Sequence, residues 1–586
     1  MAGIVIAFFL VKYRLMQGAS TDTFLVALVQ HDAILFALLM LLYAVGAMLQ
    51  RSGHALVSLV VRILAVTVFV VYIADVFAYF FFGTRLYVSD IVTFSGETGA
   101  VETLVRTGLA RRGWETLLAA VGVSIILYAC LAYILRRRTA GQRAWPFMAL
   151  CLLLAAVYFV RFPTYVYAFG DKPLFENVVE RNASYFRQTA YSEPFRRQLL
   201  ATAPTPNCRK GMNKPLNVLL VIVESLSAYH SKYFSGIEDW TPRMDVIAAK
   251  ETAITNFHAN GWTTIGGLIS LLTGTFPFVP ERAAFNEWGS PRLDDFTHLE
   301  GALPRQLAGK GYQTTFVSAG DLGFLGQGNW LQEIGFQRII GNRDPRFDSQ
   351  TVRGPFDSVP DKLLYDVVLE EMDAMPAGKP YLITGQTFWS HRPFMAPDGS
   401  ADHTEEYVIR MTDQMIGELY DRLESRGFFE TGILIVTGDH RAMEPYRRTE
   451  IERFGSTAAA RVPAIVATRA VDLPEVISDN YQQRDLQASL LALVADQYCL
   501  TPFEGAMFGP EPSAPGCVMH ARADDRDLIT VRCGEEEGVV IVAGDATAVA
   551  SGTLSDGTSV VEAINRNRLR TAALQADLQL GGAVRR

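Results

Sequence analysis

The chain has 586 residues, 49% of them hydrophobic, and a formal net charge of −8. Its length exceeds that of one compact domain and calls for two or three. The acidic balance excludes nucleic acid as the main partner, because a phosphate backbone is bound through basic surface.

Taken in chain order, the apolar residues concentrate in runs near 2–11, 24–49, 55–83, 117–135 and 145–162. Most reach the roughly 20 residues that a bilayer-spanning helix needs, so five spans are expected. The first run is short, begins almost at Met1 and does not read as a cleavable signal. Arg136, Arg137, Arg138 and Arg143 lie between the last two runs, and the excess of positive charge in cytoplasmic loops places that loop inside. The fifth span then leads outward, with the N-terminus inside, against a mild counter-signal from Lys12 and Arg14. The loop at 84–116 mixes Arg106, Arg111 and Arg112 with aliphatic residues. It reads either as an ordinary amphipathic connector or as a stretch lying along the headgroup layer. Residues 164–215 lack a long periodic pattern and read as a juxtamembrane linker.

From Asn217 the pattern changes. Asn217–Glu224 is a continuous apolar run ending in a carboxylate, and Tyr381–Gly385 and Gly432–His440 repeat the form. Such runs are expected of buried central strands. Helical patterns such as Glu405–Arg426 lie between them, which implies a mostly parallel sheet covered by helices on both faces. In sheets of this kind the active site forms just past the carboxyl ends of the strands, where Glu224, Asp439 and His440 fall.

Beyond about residue 510, a short apolar run at Gly538–Ala543 and a helical pattern near Ser559–Leu580 suggest a small C-terminal appendage. The expected division is therefore 1–163 for the spans, 164–215 for the linker, 216–510 for the catalytic domain and 511–586 for the appendage. Six cysteines are present, four of them in the soluble part: Cys208, Cys499, Cys517 and Cys533. They lack metal-knuckle spacing, which leaves disulfides, with Cys517 and Cys533 able to staple the appendage, or plain buried thiols.

Carboxylates and a histidine at the ends of adjacent strands can converge on one divalent cation, whose charge offsets the cost of bringing the acids together. Gly261-Trp262-Thr263-Thr264-Ile265-Gly266-Gly267 precedes a helical run at Leu268–Leu272. A threonine hydroxyl there would sit at a helix N-terminus, which favours anions. Bound to a metal, it could lose its proton and attack phosphorus. Taken singly, each of these residues is as well explained as a helix cap or a turn. Three strand-end polar motifs, ordered carboxylate, threonine, Asp-His, are harder to explain as independent caps. Either Thr263 or Thr264 could occupy the helix entrance.

At these positions the sequence resembles the lipoteichoic acid synthase and phosphoglycerol transferase branch of the alkaline phosphatase/sulfatase superfamily. The resemblance implies a multi-span α-helical membrane domain followed by an outward α/β sulfatase-like domain. It also implies that Glu224, Thr264, Asp439 and His440 hold one Mn2+ or Mg2+ ion, with Thr264 as nucleophile. Ser390-His391-Arg392-Pro393-Phe394 is similar to the family's His-x-Pro-Phe segment, which implies that His391 contacts the phosphate. Thr264-Ile265-Gly266-Gly267 looks like the Thr-Ile-Ala-Gly pattern of enzymes that decorate periplasmic glucans, not the Lys-Thr-Ser-Asp-Ser-Glu of polymer synthases. The family's Trp-x-Arg headgroup segment has no equivalent, since Asn329-Trp330-Leu331 does not reproduce it.

The implied activity moves glycerol phosphate from phosphatidylglycerol in the membrane, through a threonine-linked intermediate, to an envelope or periplasmic glycan at the inner membrane. True sulfatases of the superfamily carry a Cys/Ser-x-Pro-x-Arg sequence, which neither Cys208-Arg-Lys nor Cys517-Val-Met matches, so sulfate ester hydrolysis is not expected. The alternatives are a phosphoethanolamine transferase, for which His258 and His403 are weak extra metal ligands, and a non-catalytic envelope protein on the same scaffold.

Overall fold

The computed structural model describes residues 24–82, 86, 177–183, 190–201, 205–281, 291–297, 299, 301–348, 352–392, 394–400, 403–444, 446–522 and 527–584. The chain splits into two compact units, one dominated by the N-terminal helices and the other by most residues from Arg187 onward. The expected spans at 2–11, 117–135 and 145–162, and the arginine cluster that orients them, lie outside the described residues.

In the first unit, helices α1 (Phe24–Arg51) and α2 (Ala55–Phe82) have 28 residues each and correspond to two of the expected apolar runs. At 1.5 Å per residue each is about 40 Å long. Polar side chains turn inward between them. Tyr72 Oη donates to Asp32 at 2.7 Å, Ser58 Oγ donates to the Gly46 carbonyl at 2.6 Å, and Arg62 reaches the Gln50 side chain. Leu56, Val60 and Ile63, by contrast, are more than half exposed. A polar seam under an apolar exterior suits a hydrocarbon surrounding better than water. Among the described residues, one helix, over Ala55–Tyr72, is long and apolar enough to cross a membrane.

The second unit contains β1 (Asn207–Lys210), β2 (Asn217–Val223), β3 (Thr252–Ile254), β4 (Phe257–His258), β5 (Gln313–Ser318), β6 (Arg338–Ile340), β7 (Tyr381–Gln386) and β8 (Gly432–Gly438). After these come β9 (Ala464–Ala467), β10 (Val476–Ile477), β11 (Tyr481–Gln482), β12 (Gln497–Leu500), β13 (Val518–Ala521), β14 (Leu528–Cys533), β15 (Glu536–Ile541) and β16 (Ala548–Gly552). The main sheet has eight strands in the order β10-β3-β9-β8-β2-β7-β5-β6. Strand β9 is antiparallel to both its neighbours, and the other pairings in this sheet are parallel. The sheet is therefore mixed. The chain leaves β8 at its carboxyl end and enters β9 at the same end of the sheet, without the full crossover that a parallel neighbour requires.

The apolar runs read from the sequence become the sheet's centre. In β2, Val218–Val223 are fully buried, and Leu382, Ile383 and Ile433 of β7 and β8 are equally so. Helix α3 (Thr264–Thr273) is buried from Ile265 to Thr273, and α4 (Asp361–Asp373) packs on β5 and β7. Helix α5 (Glu405–Ser425) buries Val408, Ile409, Thr412, Ile416, Leu419 and Leu423, the one-sided spacing of a surface helix.

β13–β16 form a separate antiparallel sheet. Its core joins Met519, Val531 and Val540 to Val560 and Ile564 of α6 (Gly557–Val584), and to Phe276 and Phe278 beyond α3. All four soluble cysteines are paired, Cys208 with Cys499 across β1 and β12 and Cys517 with Cys533. The first bridge closes a separation of 291 residues, so it restricts the unfolded chain most. Replacing Cys208 and Cys499 together by Ser is expected to lower the unfolding free energy by about 2–5 kcal/mol, measured as a shift of the denaturant midpoint.

Candidate active site

Strands β2 and β8 are parallel neighbours with Val223 opposite Gly438, so the residues that follow them, Glu224 and Asp439, emerge side by side. Helix α3 brings its N-terminus to the same edge. Gly267 lets it approach that closely: a Cβ there would lie 2.2 Å from the Asp439 carbonyl oxygen. The Thr-Ile-Gly-Gly sequence is thus a packing requirement as well as a resemblance.

The two threonines do different work at the helix entrance. Thr263 is the cap residue, its hydroxyl accepting from the Gly266 N–H at 3.4 Å. Thr264 Oγ1 instead lies 3.2 Å from Glu224 Oε2 and 3.4 Å from His440 Nε2. His440 Nε2 is also 3.5 Å from Glu224 Oε1 and 3.4 Å from Asp439 Oδ2. One imidazole nitrogen thus faces a hydroxyl and two carboxylates. The other nitrogen, Nδ1, lies 2.9 Å from the Arg441 carbonyl, to which only an N–H can donate. With Nδ1 keeping its proton, Nε2 is the atom that meets the cluster, protonated between the carboxylates and able to offer its lone pair where a metal ion takes that proton's place.

Glu224, Asp439 and His440 are all essentially inaccessible to solvent, and two buried carboxylates repel. Burial raises Glu224, but hydrogen bonding to His440 and the nearby imidazoles overcome it and hold the carboxyl down to about 2. Burial, and then the charge on Glu224, push Asp439 up to about 7. Burial disfavours the His440 imidazolium, yet the Asp439 and Glu224 carboxylates raise it to about 9. The arrangement holds a positive charge between two acids, as a cation would.

Asp439 Oδ2 is buried with no hydrogen-bond partner, while Oδ1 accepts from the Ser225 and His440 N–H groups, both at 2.8 Å. Among the described residues, Glu224, Asp439 and His440 form the group able to hold a metal ion, their ligand atoms within 4.8 Å of one another. A donor set of carboxylates, a hydroxyl and one imidazole suits a hard or borderline divalent ion. The orphaned carboxylate oxygen gives that ion a reason to be there.

His391 lies on the wall of a small pocket that also includes Thr264, Leu268, Phe324, Phe356 and Phe388. The Phe356 ring meets its imidazole edge-on at 4.6 Å. Burial lowers the His391 pKa, more than the Glu224 charge raises it.

Several residues that sequence reading did not single out place this machinery. Ser225, in the left-handed region at φ 56°, donates from Oγ to Glu224 Oε1 at 2.7 Å; such a conformation is strained for a residue with a Cβ. Thr387 accepts from the Glu224 N–H at 3.0 Å, and Ser390 donates to the Glu224 carbonyl at 2.6 Å. These bonds tie the His391 loop to the end of β2. Asp361, at the start of α4, accepts from the N–H groups of Phe388 at 3.0 Å and Trp389 at 3.3 Å. A Pro-Asp pair opening a helix reads only as a cap, so the sequence carries no sign that this carboxylate reaches 27 residues along the chain.

Burial pushes the Asp361 carboxyl from its ordinary 3.8 up to about 7. Between those values the folded form keeps a proton that the unfolded chain has lost, so stability falls as pH rises. The stability of the wild type relative to Asp361→Asn is expected to decline across that window, measured by urea unfolding of both proteins at pH 4.5, 6 and 7.5.

The weaker candidates lie elsewhere. His258 is buried between the Tyr481 carbonyl, 3.0 Å away, and Arg461, 3.3 Å away. His403 stacks on Tyr407 at 4.1 Å. Trp330 is a core residue donating to the Phe296 carbonyl at 3.1 Å.

The mixed sheet thus gathers a buried acid–histidine cluster and the Thr264 hydroxyl at its carboxyl edge. Residues 216–496 match the family model described as Sulfatase, and this stretch is a sulfatase domain. A solved protein of the alkaline phosphatase superfamily from Vibrio parahaemolyticus shares the fold, with a TM-score of 0.50 and 18% identity over 68% of this chain and 94% of that one.

Among curated proteins the chain is similar to phosphoglycerol transferase I of Xanthomonas campestris pv. campestris, 24% identical over 252 residues, covering 40% of this chain and 35% of the relative. It is also similar to phosphoglycerol transferase I of Escherichia fergusonii, 23% identical over 385 residues, covering 61% and 46% respectively. The chain thus spans less than half the length of the curated relatives it matches.

Proposed function

We propose that the protein is a multi-pass inner-membrane transferase that moves glycerol phosphate from phosphatidylglycerol to an envelope or periplasmic glycan. In this reading residues 1–163 anchor the chain, 164–215 link, 216–510 carry out the chemistry outside the cytoplasm and 511–586 form an appendage. The carrying observation is the position of Thr264 Oγ1, within 3.4 Å of both Glu224 and His440 beside the orphaned Asp439 oxygen. The names of the curated relatives supply the headgroup.

Glu224, Thr264, Asp439 and His440 would hold one Mn2+ or Mg2+ ion. When bound, the ion lowers the pKa of a coordinated hydroxyl and offsets charge on phosphorus. Thr264 Oγ, freed of its proton, attacks the phosphorus. A P–O bond forms, the bond to the diacylglycerol oxygen breaks, and that oxygen takes up the equivalent of the proton that Thr264 gave up. The threonine-linked glycerol phosphate then passes to an acceptor hydroxyl, whose proton is released as Thr264 regains its own. His391 steadies the phosphate oxygens from the pocket wall, and Ser390 and Asp361 hold its loop.

The test is release of diacylglycerol from labelled phosphatidylglycerol by the purified full chain with manganese, with phosphatidylethanolamine as a rival donor. Turnover of phosphatidylglycerol alone supports the reading. Turnover of phosphatidylethanolamine alone would replace it with phosphoethanolamine transfer, and turnover of neither, with no bound metal, would point to a non-catalytic envelope protein.

A further inference from the structure

A second cavity in the same unit, about 740 Å³ in volume, is lined by Tyr233, Asn256, Arg453, Arg461, Asn480 and Arg532 among others, and shares no residue with the pocket beside Thr264. Asn256 follows β3, Asn480 follows β10, and Arg461 precedes the reversed strand β9. All three therefore lie at the sheet edge that carries Glu224 and Asp439. Strands β3 and β8 are separated only by β9, so their ends lie about 10 Å apart along that edge.

The cavity holds an unsatisfied cation. Arg461 is 7% exposed. Its Nη2 donates to the Thr255 carbonyl at 2.6 Å and to Asn256 Oδ1 at 2.9 Å, and Nη1 faces His258 Nε2 at 3.3 Å. The Phe454 ring lies 4.8 Å from the guanidinium carbon. None of these partners is an anion, and Nε has no partner. Burial, with Arg532 and Arg453 nearby, lowers its pKa to about 10. Arg453 is exposed at the cavity wall and makes no ion pair among the described residues.

The acids of the lining do not answer this charge. Glu535 and Glu537 pair with Arg532, and Asp479 is the remaining carboxylate of the wall. Around the arginines are groups that hydrogen-bond neutral oxygen, Ser478 and Asn480, with the part-exposed ring of Tyr233. An oxyanion in the cavity would meet the exposed Arg453 guanidinium directly and offset the charge of Arg461 in the wall, whose enclosed Nε does not itself open on the cavity. Hydroxyls and an aromatic face suit the ring that carries it.

We propose that this cavity binds an acidic sugar, with Arg461 and Arg453 taking a phosphate ester or carboxylate and the surrounding side chains taking the hydroxyls. Where the transfer reading above holds, the cavity would seat a charged residue of the acceptor glycan beside Thr264, and that assignment alone rests on that reading.

The experiment is calorimetric binding to the full chain in detergent, with glucose 6-phosphate, glucuronate and glucose as probes. Wild type and Thr264→Ala are expected to bind at least one acid equally well and at least tenfold more tightly than glucose. Arg453→Glu, on the exposed wall, is expected to weaken that binding at least tenfold, as is Arg461→Gln where it folds. Preference between the two acids identifies the oxyanion as phosphate or carboxylate. Failure of both acids to bind, equal affinity for glucose, or indifference to Arg453→Glu would overturn the proposal. Loss of binding in Thr264→Ala would also overturn it, by placing the ligand in the catalytic pocket. Because binding is read directly, failure of phosphoglycerol transfer would leave the result standing.

Discussion

Thr264→Ala is expected to lower the rate of diacylglycerol release from phosphatidylglycerol by at least about 10³-fold, as loss of a nucleophile does. The fold should persist. Thr264 is half-buried, and Thr263, not Thr264, caps α3, so removing the Thr264 hydroxyl strands no backbone group. Thr264→Ser, which keeps the oxygen, should retain measurable turnover. Thr263→Ala gives the contrast, because it removes a cap worth about 1 kcal/mol and should lower the thermal midpoint more than Thr264→Ala while leaving much of the turnover. If Thr263→Ala were the inactive variant, or Thr264→Ala remained active, the nucleophile assignment would fall.

How far the sequence foretold this site depended on where the information resided. That Glu224, Asp439 and His440 would converge was legible because a continuous apolar run marks a buried parallel strand, and the polar residue ending it must emerge at the sheet's carboxyl edge. The Thr-Thr pair was legible as a helix entrance, but which hydroxyl turns inward depends on the phase of α3 against β8, set by the contact of Gly267 with the Asp439 backbone. The reversal of β9 was missed because its four residues are as apolar as a parallel strand's. Direction is fixed by the path of the preceding connection, which leaves no periodic trace. Asp361 and Ser390 were missed for a related reason. Their partners, the Trp389 N–H and the Glu224 carbonyl, are backbone groups distant in sequence, and backbone groups leave no compositional mark. The cysteine pairing was open on spacing alone and was settled by the register that sets Cys208 opposite Cys499.

Asp439→Asn separates a metal-holding role from a structural one. Oδ1 accepts two backbone N–H groups, while Oδ2 is buried without a hydrogen bond, 3.4 Å from His440 Nε2. Asparagine keeps the first oxygen and removes a charge that, without metal, both repels the Glu224 carboxylate and attracts His440 Nε2. These changes oppose each other, so the metal-free variant should unfold close to metal-free wild type. With manganese the two should part. A ligand that binds only the folded state stabilises it by about 2.7 kcal/mol at a hundredfold excess over its dissociation constant, so the wild-type thermal midpoint should climb by several degrees and return when a chelator is added. The variant, lacking one anionic ligand, should show little or none of that rise, and Glu224→Gln should behave alike. A purely structural Asp439 would give the opposite pattern, with a lower midpoint in the variant whether or not metal is present and an equal manganese response in both proteins. That outcome would remove the metal from the site however the transfer assays came out.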